Sequence, residues 1–423
     1  MFIGNVLHAQ ERVPADTLRL SLDSCIRYAF GHNVSVRTAQ LRRELAVRSL
    51  EAARLRFLPS LSLQAGEDIT LFGGLSSVNA SYGMGGSWTL YEGWNTVNSF
   101  RKMKAEQRQS VYAEEKSRNE VEVQLLQAYL DILAEQDHIG CLEELLRSSL
   151  RQAEDAAEKA KLGSIVESDR LLLEASFCKL QRELENARTG IEGSLAELRL
   201  LLGLPERVAL IVMPVDTALA LQMTIPPMEE TVRQALENLP DTKIAGLERE
   251  KAAYDLRCAR GMYAPALTLG AYASYFGGEH IRTDASGMLV TSGGLNTTLS
   301  IGLNIPVFSR GANRMQVVQG RIALQQAELQ EWQIRREVVQ RTEACYRGLL
   351  QACNTMQASA AMQKAAAASL QAYQAKFLAG SVSATDWIQQ RERYLSATND
   401  YVRSKYAYIL SQMILQIYLG RGL

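Results

Sequence analysis

The chain contains the stretch LGSIVESD at residues 162–169 and a near copy of it, AGSVSATD, at residues 379–386. In both copies a glycine and a serine are followed shortly by an aspartate, Asp169 or Asp386. Glycine adopts the left-handed conformation that commonly ends a helix, so each stretch is predicted to be a tight turn between two helices.

The helices that follow these turns also carry start signals. Ser164 with Glu167 has the spacing of a capping box, and Ser383 with Asp386 resembles it with a shorter acid. A carboxylate in the first helical turn is favoured by the exposed backbone amides, which is one interpretation of both aspartates.

Similarity between the two halves of the chain extends well beyond the turns. Residues 21–63 align without a gap with residues 227–269, and residues 91–203 align with residues 308–420. A unit of this length is too long for a solenoid repeat and indicates one body built from two similar halves. The predicted boundaries are an N-terminal segment at 1–20, a first repeat at 21–210, a linker at 211–227 and a second repeat at 228–423.

Helical patterns dominate both repeats. No proline interrupts residues 92–161, and a helix of that length reaches about 105 Å at about 1.5 Å per residue. The lengths predict a wall in which one long antiparallel helix lies beside two short helices stacked head to tail. The other helices are predicted at 33–57 and 167–203 in the first repeat, and at 240–262, 311–378 and 384–420 in the second.

Four segments alternate apolar and polar side chains, as β-strands with two different faces do. Their polar face consists mostly of Ser, Thr, Asn and Gly, as expected beside a water-filled lumen, although a soluble sandwich also alternates. Because four strands cannot close a barrel and lipid does not tolerate open edges, a membrane sheet would need strands from several chains. The segments lie at about 60–72, 77–90, 266–276 and 295–307.

Composition excludes several functional classes. The chain has 46 basic and 46 acidic residues, so it has no net positive charge with which to attract nucleic acid. The six cysteines form no C-x-x-C pair, the four histidines are scattered, and no nucleophile elbow or phosphate loop occurs. We therefore predict no enzyme activity, no cofactor and no metal site. No apolar run is long enough for a membrane helix.

The first ten residues, MFIGNVLHAQ, lack a basic region. They are expected to be either the end of a secretory signal peptide or a disordered terminus.

The order of helices, strand pairs and turns resembles the TolC family of outer-membrane efflux proteins over residues 20–423. The resemblance implies a fold that is mainly α with a membrane β-barrel portion, in which long antiparallel hairpins form a periplasmic tunnel. It further implies a homotrimer whose twelve-stranded barrel lies in outer-membrane lipid. Its partners would be a periplasmic adaptor protein and an inner-membrane transporter of the RND, ABC or MFS type.

The resemblance also assigns roles to the turn residues. Gly163 and Gly380 match the tip glycines that adaptors approach, and Ser164 and Ser381 stand beside them. Asp169 matches the acidic tip residue of the first hairpin. These five positions are the expected adaptor contacts.

Asp386 matches the first of two aspartates that line the closed aperture in the family. The second is replaced by Gln389, the arginine expected after the tip glycine is Val382, and the expected tyrosine is Phe377. The resemblance therefore implies a weaker acidic ring and a closed state that depends more on helix packing.

The predicted function is a passive outer-membrane exit duct of a tripartite efflux or type I secretion system. The alternative is a soluble coiled-coil scaffold, and the alternating segments with Trp88 and Trp94 near a strand end favour the duct, because aromatic residues gather at membrane interfaces. The substrate is not readable from the sequence.

Overall fold

The computed structural model of the protein describes residues 18–72, 75–162, 165–205, 207–215, 226–280 and 290–420. The first half of the chain forms β1 (Leu18–Leu20), α1 (Leu22–His32), α2 (Val34–Leu55), β2 (Ser60–Phe72), β3 (Leu75–Glu92), α3 (Asn95–Lys161), α4 (Glu167–Leu202) and β4 (Leu210–Val212). The second half forms α5 (Met228–Asn238), α6 (Pro240–Gly261), β5 (Ala266–His280), β6 (Val290–Asn304), α7 (Ala312–Leu378) and α8 (Ala384–Tyr418).

The two long helices, α3 and α7, contain 67 residues each, which corresponds to about 100 Å. Helix α3 starts three residues later than predicted, because Gly93 and Trp94 have φ values of 64° and 62°. A right-handed helix cannot include this left-handed backbone. In the part of the chain that the structure describes, no helix is both long and apolar enough to cross a membrane.

The four long strands form one antiparallel sheet in the order β2-β3-β5-β6. Strand β6 begins at Val290 and ends at Asn304, earlier at both ends than the predicted 295–307. Pro306 lies in residues 305–307, which were predicted to belong to the strand but lie beyond its end. Proline has no N–H with which to continue the hydrogen bonds of the sheet.

The register of the sheet separates two faces. Leu63 pairs with Met84, and Met84 with Ala273, so apolar side chains share one face. The polar face carries rows such as Gln64, Gly83, Ser274 and Asn296, and a row that contains Gly85 and Tyr272. On that face the ring of Tyr272 lies over Gly83 and Gly85. A Cβ on Gly83 would overlap the ring unless the ring moved, and a Cβ on Gly85 would lie 3.1 Å from it.

The chain divides into two compact units, and each contains segments of both sequence repeats. The first consists of Met1–Ala39, Glu114–Leu239 and Arg336–Leu423, and the second of Gln40–Ala113 and Pro240–Arg335. The unit boundaries therefore cut across the repeat boundaries that the sequence predicts.

The core of the first unit surrounds the fully buried Tyr129. Its hydroxyl group contacts the carbonyl oxygens of Met213, at 2.6 Å, and Leu20, at 3.2 Å. Leu20 ends β1 and Met213 follows β4, and these two strands pair in parallel. Tyr129 thus links a long helix to the segments where the first repeat begins and ends.

Two asparagines join stacked helices in the first unit. Asn33, between α1 and α2, donates to the carbonyl oxygen of Leu201 at 2.8 Å and accepts from the backbone amide of Ser35 at 2.8 Å. Asn238, at the end of α5, donates to the carbonyl oxygen of Leu419 at 2.8 Å. Each side chain satisfies a carbonyl that the end of a long helix leaves without an intrahelical partner.

Candidate functional site

The turn between α7 and α8 closes as a left-handed helix stop. Gly380 has a φ of 70°, and its N–H donates to the carbonyl oxygen of Phe377 at 3.0 Å. The backbone N–H and the hydroxyl of Ser381 both donate to the carbonyl oxygen of Lys376 at 3.0 Å. No atom lies within 4 Å of the position that a Cβ on Gly380 would take, so φ rather than space favours glycine there.

Asp386 is held in the first turn of α8 by Ser383, the N-cap residue that the spacing of the two residues predicted. The backbone N–H of Asp386 donates to the hydroxyl oxygen of Ser383 at 3.2 Å, and that hydroxyl donates to Oδ2 of Asp386 at 2.7 Å. Asp386 and Gln389 are both exposed and lie one helical turn apart, so they share one face of the helix.

In the first hairpin, the start of α4 differs from the start of α8. Gly163 and Ser164 lie outside the described residues. Helix α4 starts after Val166, which makes no side-chain cap, and Glu167 accepts hydrogen bonds from Arg170 at 2.9 and 2.6 Å. Asp169 is half-buried in this first turn, and its N–H donates to the carbonyl oxygen of Val166 at 3.0 Å.

Behind the second turn, an apolar cluster brings the two hairpins together. Ala156 of α3 and Leu173 of α4 pack with Ala384 and Trp387 of α8. The ring of Phe377 stacks on Trp387, with centroids 5.6 Å apart and planes 23° apart. Sequence reasoning missed Trp387, although its place beside Asp386 in a predicted helix start was a usable signal.

Arg391 is the second functional candidate that sequence reasoning missed. It is 2% exposed, its guanidinium lies 5.1 Å from the centroid of the Trp387 ring, and Nη1 donates to the hydroxyl of Ser149 on α3 at 3.0 Å. Burial lowers the pKa of Arg391, and the nearby carboxylates of Glu392 and Glu183 oppose that shift. Its Nε has no hydrogen-bond partner among the described residues.

Arg391 also lines a groove of about 550 Å³ between α3, α4 and α8. The groove carries both signs of charge, and Lys179 and Glu392 pair across it at 2.6 Å. His138 lines the same groove, and burial lowers its pKa. Across the described ranges, no group of three or more His, Cys, Asp or Glu residues is placed to hold a metal ion.

A single chain thus contains long antiparallel helical hairpins and a four-stranded sheet with one apolar face. Residues 26–204 and 231–421 match the model of the outer membrane efflux protein family. The chain belongs to the outer membrane efflux protein family. The resemblance and the fold class predicted from the sequence are confirmed.

Relatives of this efflux protein match it over most of their length. The outer membrane protein TolC of Vibrio cholerae is 24% identical over 386 residues, which cover 90% of this chain and 86% of the relative. TolC of Escherichia coli is 20% identical over 399 residues, which cover 92% and 80%. The open-state crystal structure of the Neisseria gonorrhoeae outer membrane channel MtrE has a TM-score of 0.77 and 17% identity, and the match covers 95% of this chain and 89% of that one.

This efflux protein is an outer-membrane exit duct, as the sequence predicted, and the soluble scaffold alternative is not favoured. The family is one of channels rather than a class of enzymes. The assignments of Asp386 and Gln389 to an aperture, and of the tip residues to an adaptor, remain predictions.

Proposed function

We propose that three copies of this efflux protein close one twelve-stranded barrel and conduct substrates passively, without a catalytic step, from a periplasmic adaptor and an inner-membrane transporter to the exterior. The observation that carries the proposal is that β2 and β6 are both edge strands of the sheet. Their outward side chains, such as Leu63 and Leu299, are highly exposed. Lipid accepts such a sheet only when both edges are paired.

The duplication predicts how copies pair. Within one chain, β3 of the first repeat pairs with β5 of the second, including Gly86 with Ala271. Extending each aligned block a few residues into the strands makes Ala271 equivalent to Ala65 and Gly86 equivalent to Leu303, which agrees with the registers of the two hairpins. The same pairing then joins β6 to β2 of the next copy and places Leu303 opposite Ala65. This register keeps apolar side chains on one face, whereas a slip by one residue would place them opposite polar ones.

Disulfide cross-linking tests this closure. We expect the pair Ala65→Cys and Leu303→Cys, in a background with Cys178→Ser, to form a covalent trimer on oxidation in membranes, because directly opposed strand residues lie within disulfide range. The pair Gln64→Cys and Leu303→Cys is the matched control, because its side chains lie on opposite faces. A monodisperse monomer in buffer without detergent, with no cross-link in either variant, would contradict the proposal.

The aperture proposal rests on the exposed face that Asp386 shares with Gln389. Three copies would place three carboxylates around the axis and favour cations. In a planar bilayer we expect a small, cation-preferring conductance that Asp386→Asn weakens. Asp400→Asn, an exposed change further along α8, is the control and should leave the selectivity unchanged. If Asp386→Asn keeps the same cation selectivity as Asp400→Asn, Asp386 does not line the aperture.

Adaptor docking is proposed at the hairpin tips, where Gly380 and Ser381 are exposed and Asp169 lies in the first turn of α4. Gly163 and Ser164 are included by their sequence match alone. We expect Asp169→Lys to reduce export by cells while the purified trimer persists. Loss of the trimer would instead show that Asp169 only stabilises the start of its helix.

A further inference from the structure

Four side chains connect three helices directly behind the second hairpin turn. Phe377 of α7 stacks on Trp387 of α8, the guanidinium of Arg391 lies 5.1 Å from the Trp387 ring centroid, and Arg391 donates to Ser149 of α3 at 3.0 Å. We call these four residues the tip stack. It joins the second hairpin to the first through one buried hydrogen bond.

Stability alone does not explain a guanidinium at this position. Arg391 is 2% exposed, and no described carboxylate lies within ion-pair distance of it; Glu392 is paired with Lys179 instead. A neutral hydroxyl and an aromatic face compensate only part of the cost of taking a cation out of water. Replacing buried ions by apolar residues of similar size is often neutral or stabilising.

The position of Arg391 near the start of α8 indicates that its positive charge holds this part of the helix in place. Asp386 and Trp387 are neighbours in the first turn of α8, and Arg391 follows one turn later. A helical turn moves as a unit, so a bond from Arg391 to α3 also restrains Asp386. The links expected from the resemblance are missing here, since Val382 and Phe377 replace the arginine and the tyrosine.

We propose that Arg391 is a positioning residue that anchors the first turns of α8 to Ser149 and thereby keeps the proposed aperture narrow. The inference rests on the aperture role of Asp386. It names a closing contact made by a buried cation, an aromatic stack and a serine, rather than by exposed charged links.

Single-channel recording on the purified full chain tests this role. We expect Arg391→Met to raise the open fraction on the order of tenfold, the factor for losing one charge-assisted hydrogen bond. Its melting temperature should stay equal or rise. Arg391→Lys should restore part of the closure, because an amine still donates to Ser149. Arg393→Met, an exposed change on the same helix, should behave as the wild type.

Ser149→Ala gives an independent measurement if Arg391→Met does not fold. It removes the acceptor, and we expect a rise in open fraction in the same direction. A wild-type open fraction in both Arg391→Met and Ser149→Ala would overturn the inference. So would a lower melting temperature without a change in gating, which is the sign of a purely structural role. If the wild type itself gives no conductance, the proposed channel function fails instead.

Discussion

The close backbone contact between Gly93 and Gly261 offers the sharpest test of the structure. In the second unit, Gly93 follows β3 and Gly261 ends α6, and the two backbones approach so closely that neither position has room for a side chain. A Cβ on Gly93 would overlap the carbonyl oxygen of Gly261 and lie 2.8 Å from the Cβ of Ala264. A Cβ on Gly261 would overlap the carbonyl oxygen of Gly93. The obstacle is backbone, which cannot rotate away as a side chain does.

The expected magnitudes separate steric overlap from backbone strain. Gly261→Ala introduces the overlap alone, which we expect to cost about 1–3 kcal/mol. Gly93→Ala adds a left-handed φ of 64°, which costs a further 1–2 kcal/mol or so. Gly311→Ala has φ 82° but nothing within 4 Å, so only the strain should appear. Gly193→Ala lies in α4 with open space around it and should stabilise by about 0.5–1 kcal/mol.

The assay is the free energy of unfolding of the detergent-solubilised protein, measured by chemical denaturation for all four variants. The predicted order of stability is Gly193→Ala above the wild type, then Gly311→Ala and Gly261→Ala below it, and Gly93→Ala lowest. If Gly261→Ala is as stable as Gly193→Ala, the close backbone approach does not exist in solution and the reasoning is refuted.

Two further predictions concern buried groups of the first unit. Tyr406 donates to the exposed carboxylate of Asp137 at 2.9 Å, so Tyr406→Phe should cost about 1 kcal/mol of unfolding free energy; Tyr408→Phe, equally buried, is the control, and equal losses would contradict the role of the hydrogen bond. Burial raises the pKa of the Cys25 thiol to about 12, so at pH 8 it is protonated as well as inaccessible. Mass spectrometry after iodoacetamide treatment of the folded protein should show Cys178, which is exposed, alkylated and Cys25 unmodified, and equal labelling would refute this.

Much of the architecture was predictable because its elements are long and periodic. The uninterrupted apolar pattern between residues 92 and 161 predicted α3, which ends at Lys161 as expected. Strand β2 has the predicted bounds of 60–72. The short strands β1 and β4 were not predicted, because three residues carry too little periodicity to distinguish them from a loop. Strand β4, Leu210–Val212, lies partly within residues 211–227, which were predicted to be a linker.

At the tip of the second hairpin, only contacts between residues close together in the sequence were predictable. The capping of Asp386 by Ser383 depends on residues three apart, and such a pattern can be read along the chain. The contact of Arg391 with Ser149 joins residues 242 positions apart. An arginine in an amphipathic helix is usually solvated, so its pattern predicts exposure rather than burial.

By itself the sequence determined the duplication, the long helices, the alternating strands and the left-handed turn at Gly380, because each arises from local periodicity or from the φ preference of glycine. Only the tertiary structure decided which faces meet. It left β2 and β6 as open edges, brought Gly93 against Gly261, and buried Arg391 behind Trp387. Those outcomes depend on the packing of residues distant along the chain, and neither periodicity nor local propensity encodes such packing.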